Sequence, residues 1–234
     1  MTETHKNPIA AQRRIGRRLL SHHLPLGLAS GVLVLLFFQA LTSPDVKFRL
    51  SMATAYTSLI LIGGTLMTGA INILRSHSNP ISTDFRRDIG IWAAIIGVAH
   101  VVAGLNVHMG GKFWLYFLYP ANEQHLLPIR IDPFGFANHT GMIATIILIV
   151  LVAISNDLSM RFLGSKRWKY IQRYNYALYV LVILHAIAYQ LIEKRQMPYP
   201  LIFATAIAVV LVIQSLGFQR RKQQLAQTTT PPNI

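Results

Sequence analysis

The chain has no cysteine. That excludes disulfides, iron–sulfur clusters, thiolate-ligated haem and covalent haem attachment through a Cys-x-x-Cys-His motif. Acidic residues are scarce, 8 against 22 Lys and Arg, which leaves a formal charge of +14. Charge of either sign is thin. Asp, Glu, Lys and Arg make up 13% of the residues, where a soluble domain carries about twice that share. No Gly-x-Gly-x-x-Gly or Walker motif occurs, so no nicotinamide cofactor is expected in a domain of its own. No internal repeat is present.

What the chain does have is long apolar runs. Hydrophobic residues are 53% of the sequence, and mean hydropathy is +0.42. Six runs fit the ~20 residues a helix needs to cross the hydrocarbon core. They are read at about 24–41, 53–74, 89–108, 137–155, 174–192 and 199–217. The expected fold is an all-α membrane protein, a six-transmembrane-helix bundle in contact with membrane lipid. Its regions would be a basic N-terminus (1–23), the helical domain (24–217) and a disordered tail (218–234) ending in TTTPPNI.

The basic residues are distributed by loop. Arg13, Arg14, Arg17 and Arg18 precede the first run, and Arg75, Arg86 and Arg87 lie between the second and third. Arg161, Lys166, Arg167, Lys169 and Arg173 lie between the fourth and fifth, and Arg220, Arg221 and Lys222 follow the sixth. The remaining loops carry Asp45, Glu123, Asp132 and Glu193. This alternation puts both termini in the cytoplasm. It also argues against a nucleic-acid partner, which would need one continuous basic surface. The stretch QRRIGRRLL precedes a run too long for a signal-peptide core, with no clean cleavage site after it, so the run is read as a retained first helix.

Two histidines lie inside apolar runs: His100 in DIGIWAAIIGVAHVVAGLNVH and His185 in YNYALYVLVILHAIAYQL. An ionisable group in a span is costly and marks a functional site. Both runs have the same expected direction, and each histidine falls thirteen residues past a reference position, Arg87 and Gln172. Thirteen residues is about 20 Å of helix rise, so the imidazoles share one depth, somewhat past the midplane. Two imidazoles at one depth on two helices suit the axial positions of one haem iron. Gly97 and Gly104 flank His100 at i−3 and i+4 and would leave room for a flat porphyrin. Ala188 and Tyr189 take the i+3 and i+4 positions beside His185. Arg86, Arg87 and Arg173 are candidates to pair with haem carboxylates. The competing reading makes the histidines and glycines packing residues between helices.

The other histidines form no spaced ligand set. His108, His125 and His139 are expected near the outer surface, where a metal, quinone or docking role competes with chance placement. His5, His22, His23 and His77 sit among basic residues and are read as solvated. The longest connection, 109–136, holds Trp114, Tyr116, Tyr119, His125 and Pro120, Pro128 and Pro133. Its aromatics suggest a cap at the membrane interface.

Two segments carry a resemblance. RRDIGIWAAIIGVAHVV resembles the entry into the third helix of the ferric reductase-like transmembrane superfamily. LGSKRWKYIQRYNYALYVLVILHAIAY resembles its fourth loop and fifth helix. Within that superfamily the pattern is most similar to the haem-binding membrane subunits of bacterial methionine-sulfoxide reductase systems. The likeness covers about 50–217, specific in those two segments and loose elsewhere. It implies b-type haem in a six-helix bundle of the bacterial inner membrane, with His100 and His185 as ligands; Gly97, Gly104, Arg87 and Arg173 are placed near the cofactor by the spacing argument above. Leu163, Gly164, Arg167, Trp168 and Tyr179 match a structural loop signature. The family often has a further histidine where this chain has Gln172, and Arg87 stands at the same level on the third helix, so one haem is expected rather than two.

The expected function is electron transfer across the membrane, as a subunit rather than a complete enzyme. Relatives that are complete oxidases append flavin and nicotinamide domains, and the sequence ends soon after the sixth run. The donor would be a flavoprotein or quinol and the acceptor an extracytoplasmic partner, by resemblance a methionine-sulfoxide reductase. FMN or quinone near the cytoplasmic arginines is an open cofactor. The alternatives are a ferric-chelate reductase acting at the outer face and a non-haem transporter or scaffold.

Overall fold

The computed structural model describes residues 16–75 and 82–229. His5, Arg13, Arg14, His77 and tail residues 230–234 lie outside the described residues. Seven helices account for most of the rest: α1 (Gly16–Ala40), α2 (Val46–Leu74), α3 (Thr83–Gly104), α4 (Pro133–Ala153), α5 (Asp157–Gln172), α6 (Tyr174–Ile192) and α7 (Tyr199–Thr229). All but α5 are long and apolar enough to span a bilayer. No strand is present among the described residues, only an isolated bridge between Leu118 and Ile129.

Helix starts follow local chemistry. Asp45 accepts from the Lys47 and Phe48 amides at the head of α2. Ser82 accepts from Phe85 at α3, and Asn156 from Ser159 at α5. Asp132 accepts from Gly135 at α4, with Pro133 at the first helical position. These side chains satisfy amides that have no partner inside the helix. Burial alone would raise the Asp132 carboxyl. Hydrogen bonds from Arg130 and the Gly135 amide prevail and hold it below the usual carboxylate range.

The bundle is built around α2, which packs against α1, α3, α6 and α7, while α4 packs chiefly on α6. Small residues set these contacts. A Cβ on Gly63 would lie 2.7 Å from Val210 of α7, and one on Gly217 would lie 2.6 Å from Ala70 of α2. Hydroxyls along α2 turn inward to their own backbone, as Thr57 does to the Ala53 carbonyl at 2.9 Å. Without hydrophobic pressure from water between spans, such close approach is what holds membrane helices together.

Several expectations shift. The region read as a loop between the fourth and fifth spans is the helix α5, broken at Gly164, where φ is +72°. A side chain would be strained at that angle. Trp168 pins α5 down, donating from Nε1 to the Ile154 carbonyl at 3.0 Å. The tail was expected to be disordered from 218, but α7 continues through to Thr229. Polar Arg, Lys and Gln residues there are good helix formers and simply extend the span. The third span ends at Gly104, short of His108, and the fourth begins at Pro133.

His22 and His23 are half-buried and engaged rather than free in solvent. Asp88, fully buried on α3, is met by Arg18, by His22 Nδ1 at 2.7 Å and by His23 Nε2 at 3.3 Å. A buried carboxylate needs such partners, and here they fasten the loosely packed α1 to the bundle.

Candidate functional site: a paired-histidine cavity

His100 on α3 and His185 on α6 meet across one cavity, their ring centres 6.2 Å apart and their planes inclined by 77°. Each ring is held by a backbone carbonyl of a neighbouring helix. His100 Nδ1 donates to the Ser51 carbonyl of α2 at 2.9 Å. His185 Nδ1 donates to the Ala137 carbonyl of α4 at 2.7 Å. A threonine one turn further on also donates to each of these carbonyls, Thr54 at 3.0 Å and Thr140 at 2.8 Å. A carbonyl only accepts, so the proton sits on Nδ1 and the Nε2 lone pair is left free. Neither Nε2 makes a hydrogen bond among the described residues. This tautomer leaves Nε2 available to a metal.

The separation matches a shared metal. A metal–imidazole bond is about 2 Å and the nitrogen sits about 1 Å from its ring centre, so two axial rings on one iron are roughly 6 Å apart. The walls are mostly apolar, including Leu59, Ile62, Leu148, Leu178, Val182 and Phe203. The residues present therefore fit a haem held by two imidazoles.

Gly97 and Gly104 both line this cavity, and both also serve close packing. A Cβ on Gly97 would fall 2.8 Å from Leu148 and 3.1 Å from Ser58 Oγ, and one on Gly104 would fall 3.3 Å from Ser51 Oγ. Gly104 lets α3 approach α2 beside Ser51, whose carbonyl holds His100, while Gly97 admits Leu148 of α4 and Ser58 of α2. A third glycine went unnoticed in the sequence. A Cβ on Gly141 of α4 would sit 2.7 Å from His185 Nδ1, so this glycine admits the His185 ring against the backbone.

Two turns beyond the pair, the rim is polar. His108 Nε2 donates to Glu193 at 3.0 Å, and Arg195 Nε donates to the same carboxylate at 2.7 Å. Burial would raise the Glu193 carboxyl, but these two hydrogen bonds outweigh it and hold it below the ordinary range. Tyr189 packs edge-on to His185 and donates to Asn138 at 2.7 Å. Tyr116 closes the end of α3, donating to the Gly104 carbonyl at 3.0 Å, and burial raises its phenol. The outer histidines are dispersed: His125 pairs with Glu123 and stacks on Tyr119, and His139 faces the Arg130 carbonyl. No cluster of three or more metal-ligating side chains occurs among the described residues.

Arg87 and Arg173 are not among the residues lining the histidine cavity. They line a second one, of about 760 Å³, together with Gln172, Arg86, Lys169, Asn175, Tyr176 and Arg221. Arg87 is buried and bonded to Asp157 at 2.7 Å and Asp84 at 3.1 Å. Its charge is thereby neutralised inside the protein. Gln172 leans on Ser155 Oγ at 3.4 Å.

Six spanning helices around one pair of opposed, backbone-anchored histidines define a polytopic membrane protein of the paired-histidine class. The chain belongs to the family of ferric reductase like transmembrane components, whose pattern matches residues 50–183. It is a multi-pass integral membrane protein of the bacterial inner-membrane type. Among its relatives are protein-methionine-sulfoxide reductase heme-binding subunits named MsrQ. That of Rhodospirillum rubrum is 35% identical over 83 residues, 36% of this chain and 38% of the relative. That of Herminiimonas arsenicoxydans is 28% identical over 146 residues, 62% and 61% of the two chains. That of Bordetella parapertussis is 28% identical over 186 residues, 78% and 80%. The chain thus spans less than two thirds of the length of the first two.

Proposed function

We propose that this chain is a b-type haem subunit that carries electrons across the membrane, with both termini in the cytoplasm. One observation carries the reading: two imidazoles 6.2 Å apart, each with Nδ1 committed to a carbonyl. His100 and His185 would hold the iron. When bound, haem supplies a one-electron couple, and two imidazoles leave no open position for oxygen or substrate. The Ser51 and Ala137 carbonyls fix the ring tautomers, the glycines fix the helix spacing, and the apolar walls exclude water.

The second cavity lies at the level of Arg87 and Gln172, toward the cytoplasmic face in this orientation. It would take the remaining redox group, FMN or a quinone. Arg86, Lys169, Arg173 and Arg221 supply positive charge there, and Trp168 and Tyr176 supply aromatic surface. The donor would be a flavoprotein or quinol. The acceptor would be an extracytoplasmic partner, a methionine-sulfoxide reductase being the one that the relatives' names suggest. The ferric-chelate alternative drew on surplus outer histidines, and those are engaged with Glu193, Glu123 and a backbone carbonyl.

The test is vectorial. In proteoliposomes loaded with ferricyanide, external reduced flavin should bleach the trapped oxidant faster than in empty vesicles, and His100→Ala should remove the difference. Equal rates with and without the protein would contradict electron transfer.

A further inference from the structure

The rim of the histidine cavity carries very little charge. Among the described residues lining the cavity, Glu193 and Arg195 are the only Asp, Glu, Lys or Arg. The Arg195 side chain is 11% exposed. Its Nε is spent on Glu193 at 2.7 Å. Its guanidinium lies 5.7 Å from the Tyr189 ring centre and 5.8 Å from that of Phe48. Its two terminal nitrogens make no hydrogen bond among the described residues. A guanidinium has five donors in a fixed fork, and the terminal ones here remain available to a partner at the rim.

The opposite shortage comes with the cofactor. Haem carries two carboxylates, and an otherwise apolar cavity must meet them with donors. A planar fork that binds a carboxylate through two parallel N–H bonds is the strongest such group. Glu193 is itself held on its other oxygen by His108, so it is a fixed post rather than a mobile partner. It occupies the Nε edge of Arg195 and leaves the terminal nitrogens free.

We infer that Arg195 binds a haem carboxylate at the rim of the His100–His185 cavity, with Glu193, braced by His108, aiming the guanidinium. The inference rests on the haem reading above. Arg195 and Glu193 are positioning residues for the cofactor and do not touch the iron. Arg86, Arg87 and Arg173, the candidates from sequence, line the other cavity and do not supply this contact.

The probe is haem against its dimethyl ester, which has the same macrocycle and iron but no free carboxylates. Full-length protein made in haem-deficient cells is titrated with each. Wild type should bind haem about tenfold more tightly than the ester, the worth of one charge-assisted pair. Arg195→Gln should bind the two pigments equally, at the weaker level, and Arg195→Lys, a point charge without the fork, should recover only part of the preference. A purely structural Arg195 would weaken both pigments alike and leave the preference intact in Arg195→Gln, which would overturn the clamp. Should Arg195→Gln not accumulate, an undiminished preference in Arg195→Lys overturns it as well. So does a wild type that makes no distinction between the pigments. A wild type that takes up neither pigment overturns the haem reading itself, and the clamp with it.

Discussion

Two cavities among the described residues, one around the histidines and one around the arginines, differ in what lines them. The histidine cavity, about 280 Å³, is mostly apolar, and two of its ring nitrogens are free. The basic cavity, about 760 Å³, is lined by arginines, a lysine and amides. The positions thirteen residues before His100 and His185, Arg87 and Gln172, both line the basic cavity. Gln172 is the last residue of α5, joined to α6 through Arg173, so α3 and α6 both lead from this cavity toward the histidines and facing positions occur at two levels. At one level the facing pair is two histidines. At the other, Arg87 is locked to Asp84 and Asp157, and Gln172 to Ser155. Helix packing makes the two spaces, and side-chain identity decides which of them can ligate a metal.

The largest effect should come from removing a ligand. His100→Ala or His185→Ala should abolish low-spin haem, read as loss of the visible spectrum in purified protein, while the expression level holds. Converting the second level is the reverse operation. Arg87→His combined with Gln172→His should raise haem content from one toward two per chain by pyridine haemochrome assay, and Gln172→His alone should leave it at one. No gain in the double variant would mean that the basic cavity lacks more than ligands.

Subtler changes probe how the histidine level is built. Gly141→Ala places a methyl group 2.7 Å from His185 Nδ1, so the ring must turn away from the Ala137 carbonyl. Orienting partners of this kind are worth about 10–100-fold in metal affinity. Haem should dissociate faster by about tenfold, with high-spin character appearing in the spectrum. An alanine at Gly90 beside the basic cavity, 3.8 Å from its nearest neighbour, should change nothing. The smallest effect is in pH. The Glu193 carboxyl is depressed in the native state, so its contribution is present above the unfolded carboxylate pKa and is lost as pH falls through the lower native value. Thermal stability should show an acid-side step that Glu193→Gln flattens, and a step that persists in the variant would assign it elsewhere.

Much of this was legible in the sequence, for reasons that also explain what was not. Spans are written in uninterrupted hydropathy, and α6 begins and ends where the apolar run at 174–192 does. The histidine pair was visible because equal spacing along two parallel helices is itself geometry. Its anchors were not, because the Ser51 and Ala137 carbonyls leave no mark in side-chain identity, and Gly141 lies on a helix with no ligand of its own. Charge runs misled in both directions. His22 and His23 looked solvated because their partner, Asp88, is distant in sequence, and Arg87 looked available because Asp157 is too. Arg195 was passed over for the same reason: only the folded chain brings the turn after α6 to the rim of the cavity.

The most direct test of the account is a dithionite-reduced minus oxidised spectrum of the detergent-purified chain, with haem counted per polypeptide. The account predicts a low-spin b-type spectrum at one haem per chain. A colourless protein from haem-replete cells would contradict it outright, and two haems per chain would contradict the division between the cavities.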